Sequence, residues 1–460
     1  MIFQNILLAY QLENYYNLRF LKFIYTHPRF WIQGSKRQVL DYTPKAKLIL
    51  FLSIMMFVLD IALMVYLSLG NIFWIVWIII SLILLPLYYV IASILISPLD
   101  RYLKKRIIRQ AKAKLTKFPH LKIVAITWSY GKTTTKEILH TILSESFDVL
   151  STEGTKNTPL GISRLILSQL KDHHKILIVE MWAYTKWNIA ELCTIAKPDI
   201  SIITGITLQH LERFWSLDEI IDTKFEILEC LEPHDLAILD TSTEGVQRWL
   251  REKTFQLKNI ITVQKELPLR YLENLRGIEF ELEWEKIHTK FLADYIWNTL
   301  QICYEVSKQL WQDIEDFRRW VQKIDFVEHR MQLIHNPQSD VYVLDDSFNG
   351  NLQGIESIIR LLREAPLERR KIVVAGWVVE LWEKTYEINS VIWRKLASVS
   401  DLVLIIEWPV WDAIEAGLQD AGYKNIKKFR SALELHSELK NIILPWDFVI
   451  FQNDLPDNYL

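Results

Sequence analysis

The run Ile126-Thr127-Trp128-Ser129-Tyr130-Gly131-Lys132-Thr133-Thr134-Thr135-Lys136 joins a short apolar segment, Ile123 to Thr127, to a stretch with helical character from about Thr133 to Glu145. A buried strand that turns through Gly-Lys-Thr into a helix has the layout of a phosphate-binding loop. The backbone N–H groups of such a turn and the positive end of the helix hold phosphate oxygens. In this layout Lys132 reaches the β- and γ-phosphates and Thr133 ligates Mg2+, with Ser129, Gly131 and Thr134 as the other candidate nucleotide-binding residues. Gly-Lys-Thr alone is a modest signal. It gains weight here because a strand and a helix flank it in the required order.

Outward from this turn, apolar runs alternate with helical ones. Ile176 to Met181 and Ile200 to Thr204 read as buried strands, and Ile189 to Ile195 and Leu217 to Cys230 as helices. That alternation predicts a parallel sheet covered on both faces. Residues 241–290 are more polar and read as a small β-rich insertion, and a helical stretch from Tyr295 to Gln322 closes the unit. A second alternating unit begins near His329. Its strand candidates are Tyr342 to Leu344, Ile372 to Ala375, Leu402 to Ile406 and Phe448 to Phe451, and its helices fall near Leu352–Glu364, Glu387–Ala397, Val410–Ala421 and Ser431–Leu439. The fold class is therefore α/β, with a phosphate-loop central parallel-sheet domain over 118–328 and a C-terminal Rossmann-like domain over 329–460. Glu180 ends one strand, His210 follows the end of another, and Lys224 and Glu226 stand on the next helix. Strand ends are where such sheets bind ligands, so together these residues predict a magnesium–nucleotide site.

The composition bounds the rest. A chain of 460 residues implies two or three domains, and 50% hydrophobic residues exclude general disorder. A net charge of −2 gives no basic field for nucleic acid. Cys193, Cys230 and Cys303 are too widely spaced for a disulfide framework or a zinc knuckle. From Ala46 to Ile96 the chain is almost continuously apolar. Leu48 to Leu69 and Ile72 to Ile96 are each long enough for a span, which takes about 20 residues, so 47–97 reads as a two-helix transmembrane hairpin. A pair of buried core helices is the alternative. Both flanks are basic, which places both ends in the cytosol. The expectation is a protein of the cytoplasmic membrane with two spans, a basic and aromatic cytosolic segment over 1–46, a basic linker over 98–117, catalytic domains in the cytosol and membrane lipid as a partner. Tyr15 to Trp31 reads either as a strip on the membrane surface or as a solvated linker.

Further motifs follow the phosphate loop in order. They are Thr155-Lys156-Asn157-Thr158-Pro159-Leu160-Gly161, Glu180-Met181, Lys197-Pro198-Asp199, His210-Leu211-Glu212, Lys224-Phe225-Glu226, His329-Arg330-Met331-Gln332 and Asp345-Asp346-Ser347-Phe348-Asn349-Gly350-Asn351. Over about residues 120 to 457 this series resembles the Mur ligase family, nearest to members that add D-alanyl-D-alanine to a UDP-muramoyl tripeptide. The resemblance implies an ATP-dependent amide-bond ligase of peptidoglycan precursor synthesis that works through an acyl phosphate, with ATP and Mg2+. The partners it implies are a muramoyl peptide, UDP- or lipid-linked, and an amino acid or dipeptide. By position, Lys132, Lys224, His210 and Arg330 become the catalytic set. Thr133, Glu180, His210 and Lys224, the last if carbamylated, become the metal set. Asn298 would contact adenine, Arg330 the phosphates and Asp345 the ribose, while Thr158, Asn349 and Asn351 would face the substrates. Gly205 stands where the family usually has Asn, and Asn389 where many D-alanyl-D-alanine-adding members have His. A sister ligase for folate or cyanophycin, or an inactive scaffold of the same fold, remains an alternative. Two spans give no transport path, which excludes a transporter.

One count is out of line. The chain has 18 Trp and 13 Gly, whereas average usage of about 7% would give roughly 32 Gly. Trp128 occupies the first glycine position of the phosphate loop. Trp182, Trp187, Trp215, Trp377, Trp382, Trp393 and Trp446 stand at turns where the resemblance calls for Gly, and Trp311, Trp408 and Trp411 are further cases. Glycine serves where φ is positive or where a ligand approaches the backbone. The pattern implies a codon, most simply UGA, that is read as Gly in the source and written here as Trp. The alternative is a literal Trp set in an inactive enzyme. The codon reading predicts strained or crowded loops at 128 and 182.

Overall fold

Runs of Ile, Val and Leu that lie buried on both faces build the two large sheets of the molecule. The computed structural model describes all residues except 35–38, 68–70, 128–131, 155, 184–185, 207–215, 253–258, 264–268, 328, 349–351, 375, 379–383, 407–409 and 455–460. The described chain forms two compact units that divide at Arg109 and Gln110.

The first unit is helical. Helices α1 (Ile2–Leu12), α2 (Asn17–Thr26), α3 (Phe30–Gln33), α4 (Pro44–Tyr66), α5 (Asn71–Ile83) and the first part of α6 (Leu85–Leu115) make it up. Thr43 caps α4 by accepting the Ala46 N–H at 3.1 Å, and Pro44 supplies a first-turn residue whose missing N–H costs nothing there. Tyr15 to Trp31 is neither a linker nor a bare surface strip, because Phe20 and Ile24 of α2 are buried in a core with Ile6, Leu7 and Tyr10. The expected two-span hairpin is corrected here. Among the described residues only α4 is by itself long and apolar enough to cross a membrane. The second run is not one helix, since α5 and α6 meet at a bend of 54°. Pro86 explains the break: it has no N–H to give and its ring crowds the preceding turn, so the chain starts a new helix. Leu85, Tyr89, Ala92 and Ile96 of the second run are spent on the protein's own core beside α1 and α2 residues. Asp60 of α4 accepts a short hydrogen bond from Ser81 Oγ of α5, which gives that carboxylate a partner.

The second unit begins with a six-stranded parallel sheet. Its elements are β1 (Lys122–Thr127), α7 (Lys132–Ser144), β2 (Val149–Ser151), α8 (Pro159–Gln169), β3 (Ile176–Glu180), α9 (Asn188–Ile195), β4 (Ile200–Ile203), α10 (Leu217–Glu229), β5 (Leu236–Asp240), α11 (Glu244–Glu252) and β6 (Ile260–Val263). The strand order is β2-β3-β1-β4-β5-β6. The stretch 241–290 divides between this sheet, through β6, and a separate antiparallel sheet of β7 (Arg270–Tyr271), β8 (Ile278–Leu282) and β9 (Glu285–Thr289). The single helical stretch expected from Tyr295 to Gln322 is two helices, α12 (Ile296–Gln309) and α13 (Ile314–Lys323), parted by a turn at Leu310 and Trp311.

A second six-stranded sheet follows. It comprises β10 (Gln332–Asn336), β11 (Val341–Phe348), α14 (Leu352–Glu364), β12 (Lys371–Val374), α15 (Thr385–Ala397), β13 (Leu402–Ile406), α16 (Trp411–Asp420), β14 (Ile426–Phe429), α17 (Ala432–Ile442) and β15 (Phe448–Asp454), ordered β10-β11-β15-β12-β13-β14. Only β10 runs antiparallel to its neighbour. Of the Trp residues expected at turns, Trp393 lies instead inside α15, and Trp411 opens α16. Trp128, Trp215, Trp382 and Trp408 lie outside the described residues.

Helices α15 and α16 cross closely at Gly417, where an added Cβ would stand 2.2 Å from the Ser390 carbonyl oxygen. The contact is with backbone, so the helices themselves would have to part. Gly417→Ala is expected to cost about 2 kcal/mol or more, seen as a lowered denaturation midpoint.

Candidate nucleotide and metal site

The parallel register sets the site. Ile126 of β1 pairs with Glu180 of β3, and Thr127 pairs with Ile203 of β4. The end of β1 therefore lies between the ends of its two neighbours, where open α/β sheets bind ligands. Ser129 and Gly131 lie outside the described residues. Lys132 and Thr133 are the first residues of α7, although their side chains are likewise outside the description. Thr134 is buried behind them.

Glu180 is the centre of a buried polar network. Asn157 Nδ2 donates to its Oε1 at 2.7 Å. Its own N–H donates to Thr152 Oγ1 at 3.0 Å, and Thr152 carries in turn the carbonyl that accepts from Lys136 Nζ at 2.5 Å. Lys136 Nζ lies 3.9 Å from Glu180 Oε2 and 3.3 Å from Glu137 Oε1. Glu180 Oε2 itself is buried and has no hydrogen-bond partner among the described residues. Leaving a buried carboxylate oxygen unmatched is costly, and a hard divalent cation such as Mg2+ takes this kind of oxygen. The residues present fit a magnesium site on that observation. His210 lies outside the described residues, and among the described ones no three acidic, His or Cys side chains gather for a metal. Lys136, Asn157 and Thr152 carry the network, yet sequence reasoning gave them no role. Lys136 and Asn157 sit inside quoted motifs, so their spacing was the available signal.

Lys224 of α10 is buried, with its Nζ 5.0 Å above the ring of Trp182. The strained or crowded loop expected at 182 is not what the structure shows: the backbone there does not enter the left-handed region, and the indole lies over this lysine. Glu226 does different work from Lys224. Its carboxylate accepts the N–H groups of Trp187 at 2.6 Å and Ala190 at 3.1 Å, closing the N-terminus of α9. Burial raises its pKa, and those backbone donors oppose the rise. Thr158 is an exposed N-cap that accepts the Gly161 N–H at 3.2 Å. Asn298 of α12 holds both carboxylate oxygens of Asp240 at 3.3 Å, while its own Oδ1 is buried without a hydrogen-bond partner among the described residues.

A second cluster forms where the chain enters β10. His329 and Met331 adopt positive φ, 59° and 47°. His329 Nδ1 lies 2.7 Å from Asp345 Oδ2, and Asp345 Oδ1 accepts the Ser347 N–H at 3.0 Å. Asp346 is buried and accepts the Met331 N–H at 3.1 Å. Burial pushes its pKa up to about 7, against the pull of the Arg330 charge and that N–H. The structure thus brings Arg330 and Asp345 together with His329 and Asp346, and gathers Glu180 with the start of α7. Asn349 and Asn351 lie outside the described residues. Asn389 is fully buried and locks a loop to α15, taking the Val378 N–H at 2.8 Å and giving to the Thr385 carbonyl at 2.7 Å. Its role there is structural.

Comparison with known proteins bears on this arrangement. Residues 126–296 match the Mur ligase middle domain. The fold overlays MurF ligase from Thermotoga maritima in complex with ADP with a TM-score of 0.65 and 26% identity, over 76% of this chain and 80% of that one. UDP-N-acetylmuramoyl-tripeptide--D-alanyl-D-alanine ligase of Synechocystis is 28% identical over 343 residues, 72% of this chain and 71% of its own length. The enzyme of that name from Rickettsia prowazekii is 28% identical over 277 residues, and the chain spans 59% of that enzyme's length. These relatives and the bent second run overturn the expected two-span placement in the cytoplasmic membrane.

The Asp346 shift has a consequence for stability. Its folded-state pKa of about 7 exceeds the ordinary 3.8, so between those values the folded chain binds more protons than the unfolded one. The contribution of this group to stability therefore falls as pH rises from about 4 to about 7 and is level above that. Asp346→Asn keeps an acceptor for Met331 and removes the slope. Denaturation midpoints at pH 5 and pH 8 should show the variant gaining on the parent at the higher pH.

Proposed function

We propose that this chain is an ATP-dependent ligase that adds D-alanyl-D-alanine to a UDP-N-acetylmuramoyl tripeptide. One observation carries the reading: a buried Glu180 with an unmatched oxygen, held beside the end of the strand that feeds the Gly-Lys-Thr turn. The activity for which the relatives are named supplies the substrates.

A free carboxylate is a poor electrophile. The reaction solves this by moving the γ-phosphoryl group of ATP to the tripeptide carboxylate, with release of ADP. The amine of D-alanyl-D-alanine then attacks the acyl carbon, phosphate leaves, and an amide bond remains. The chain's task is to bind and orient, and to place positive charge where charge accumulates. Ser129, Gly131 and Thr134 belong to the cradle, and Lys132 offers its ammonium to the β- and γ-phosphates. Thr133, Glu180 and His210 would hold Mg2+, joined by Lys224 if carbamylated. Bound Mg2+ supplies neutralisation of the phosphate charge in such sites. Asn157 and Lys136 fix the Glu180 carboxylate, so that Oε2 keeps its aim without reorganisation. Asn298, through its unmatched Oδ1, offers an acceptor to an adenine amino group. Arg330 reaches the phosphates from the segment leading into β10, and Asp345 takes the ribose once His329 yields it. Thr158, Asn349 and Asn351 shape the substrate side. The domains as read from the sequence, 118–328 and 329–460, would close on each other when both substrates are bound.

The test uses the protein isolated from its own cells, with ATP and Mg2+. ADP should form only when the UDP-muramoyl tripeptide and D-alanyl-D-alanine are both present, and a chelator should abolish it. Glu180→Gln should slow the reaction by about 100-fold or more. ADP release unaffected by Glu180→Gln would sink the reading, and no turnover with any muramoyl peptide would favour the inactive scaffold.

A further inference from the structure

Four tryptophans sit in backbone conformations that belong to glycine, and each belongs to a different type of turn. Glu283 and Trp284 connect β8 to β9 directly after the Leu282–Glu285 pair, with φ of 44° and 74°. A two-residue hairpin with both φ values positive is a type I′ turn, which takes Gly at its second position. Trp311 follows α12 with φ of 65°. Its N–H bonds the Lys308 carbonyl at 3.1 Å, and the Gln312 N–H bonds the Ser307 carbonyl at 3.1 Å. That bond pair is the Schellman motif, and Trp311 holds its glycine position. Leu444-Pro445-Trp446-Asp447 closes with the Asp447 N–H on the Leu444 carbonyl at 3.2 Å, and Trp446 has φ of 75°. Proline followed by a residue at positive φ is a type II turn, again with Gly in that place. Trp187 precedes α9 with φ of 71° and ψ of −1°.

The indoles gain little there. Trp187, Trp284, Trp311 and Trp446 are 71%, 91%, 96% and 58% exposed. Arg369 does lie 4.9 Å over Trp446, but it also lies 4.4 Å over Tyr342, so it has an aromatic partner without the tryptophan. Other tryptophans behave as the residue should. Trp249 is buried and stacks on Phe225 at 3.9 Å, Trp320 is buried in α13, and Trp31 Nε1 donates to the Ile24 carbonyl at 2.8 Å. None of these three has positive φ. A Cβ in the left-handed region is strained for every L residue, and a bulky one most of all. Among the described residues twelve non-Gly positions have positive φ, and Trp, with four of them, is the commonest type there.

We infer that the polypeptide as its own cell makes it carries glycine at positions 187, 284, 311 and 446, while 31, 249 and 320 are true tryptophans. Two codons written alike here are then read differently in the source. The same reading puts glycine at 128, where a small residue lets the phosphate-binding turn close on its ligand. The inference stands on backbone geometry and does not depend on the ligase reading.

Peptide mass spectrometry on protein purified from its native source decides it. Glycine at 187, 284, 311 and 446 with tryptophan at 31, 249 and 320 is expected; tryptophan at the four turn positions overturns the inference. Thermal denaturation of the chain as written gives a second readout. Trp284→Gly and Trp311→Gly should each raise Tm by about 2 °C, whereas Trp249→Gly should lower it. A fall in Tm for both turn variants would also overturn the inference. Neither readout involves nucleotide turnover, so failure here is distinguishable from failure of the proposed function.

Discussion

A carboxylate buried at the end of a central strand is the constraint on which the rest of the site depends. Glu180 is 1% exposed, and a charge so placed needs partners on every side. The parallel pairing of β1 with β3 fixes its height next to the phosphate-binding turn. Asn157 and Thr152 come from the stretch between β2 and α8, and Lys136 from the first turns of α7. Two separate segments thus converge on one residue, and they leave one oxygen unmatched. The network gives that oxygen a fixed direction, and a charged ligand placed against it completes the balance.

The central fold was legible in the sequence because buried parallel strands are written as unbroken apolar runs. Ile123 to Thr127, Ile176 to Met181 and Ile200 to Thr204 all recur as strands with ends shifted by a residue at most. Most of what escaped was short or lay at a sheet edge; the exception is β5, five buried residues inside the first sheet. Strands β2 and β14 have three and four residues, and β14 carries two adjacent exposed lysines that read as surface. The run at α5 and α6 misled because hydropathy does not register direction. Pro86 bends the chain, and Leu85, Tyr89, Ala92 and Ile96 then face a core that α1 and α2 supply. Two amphipathic helices at the start of the chain, too short to attract notice alone, account for the difference.

The site was legible as a set of residue types rather than as a geometry. Glu180, Lys224 and Asp345 were picked out by their places after strands and in ordered motifs. Their partners were not, because a buried Lys136 or Asn157 looks in sequence like any polar residue on a helix or turn. Glu226 and Asn389 show the reverse case. Both stand in motif positions, yet the one closes the N-terminus of α9 and the other ties a loop to α15. The tryptophan excess was visible as a count, but only the backbone separates the residues that need positive φ from those that pack as indoles.

The account's central claim is that the site activates a carboxylate by phosphorylating it. The most direct measurement follows oxygen. With the terminal carboxylate of the UDP-muramoyl tripeptide labelled with oxygen-18, and with ATP, Mg2+ and D-alanyl-D-alanine supplied to the natively isolated protein, each turnover should transfer one labelled oxygen to the released phosphate. Phosphate free of label, with ADP still formed, would show that the oxygen comes from water and would contradict the account.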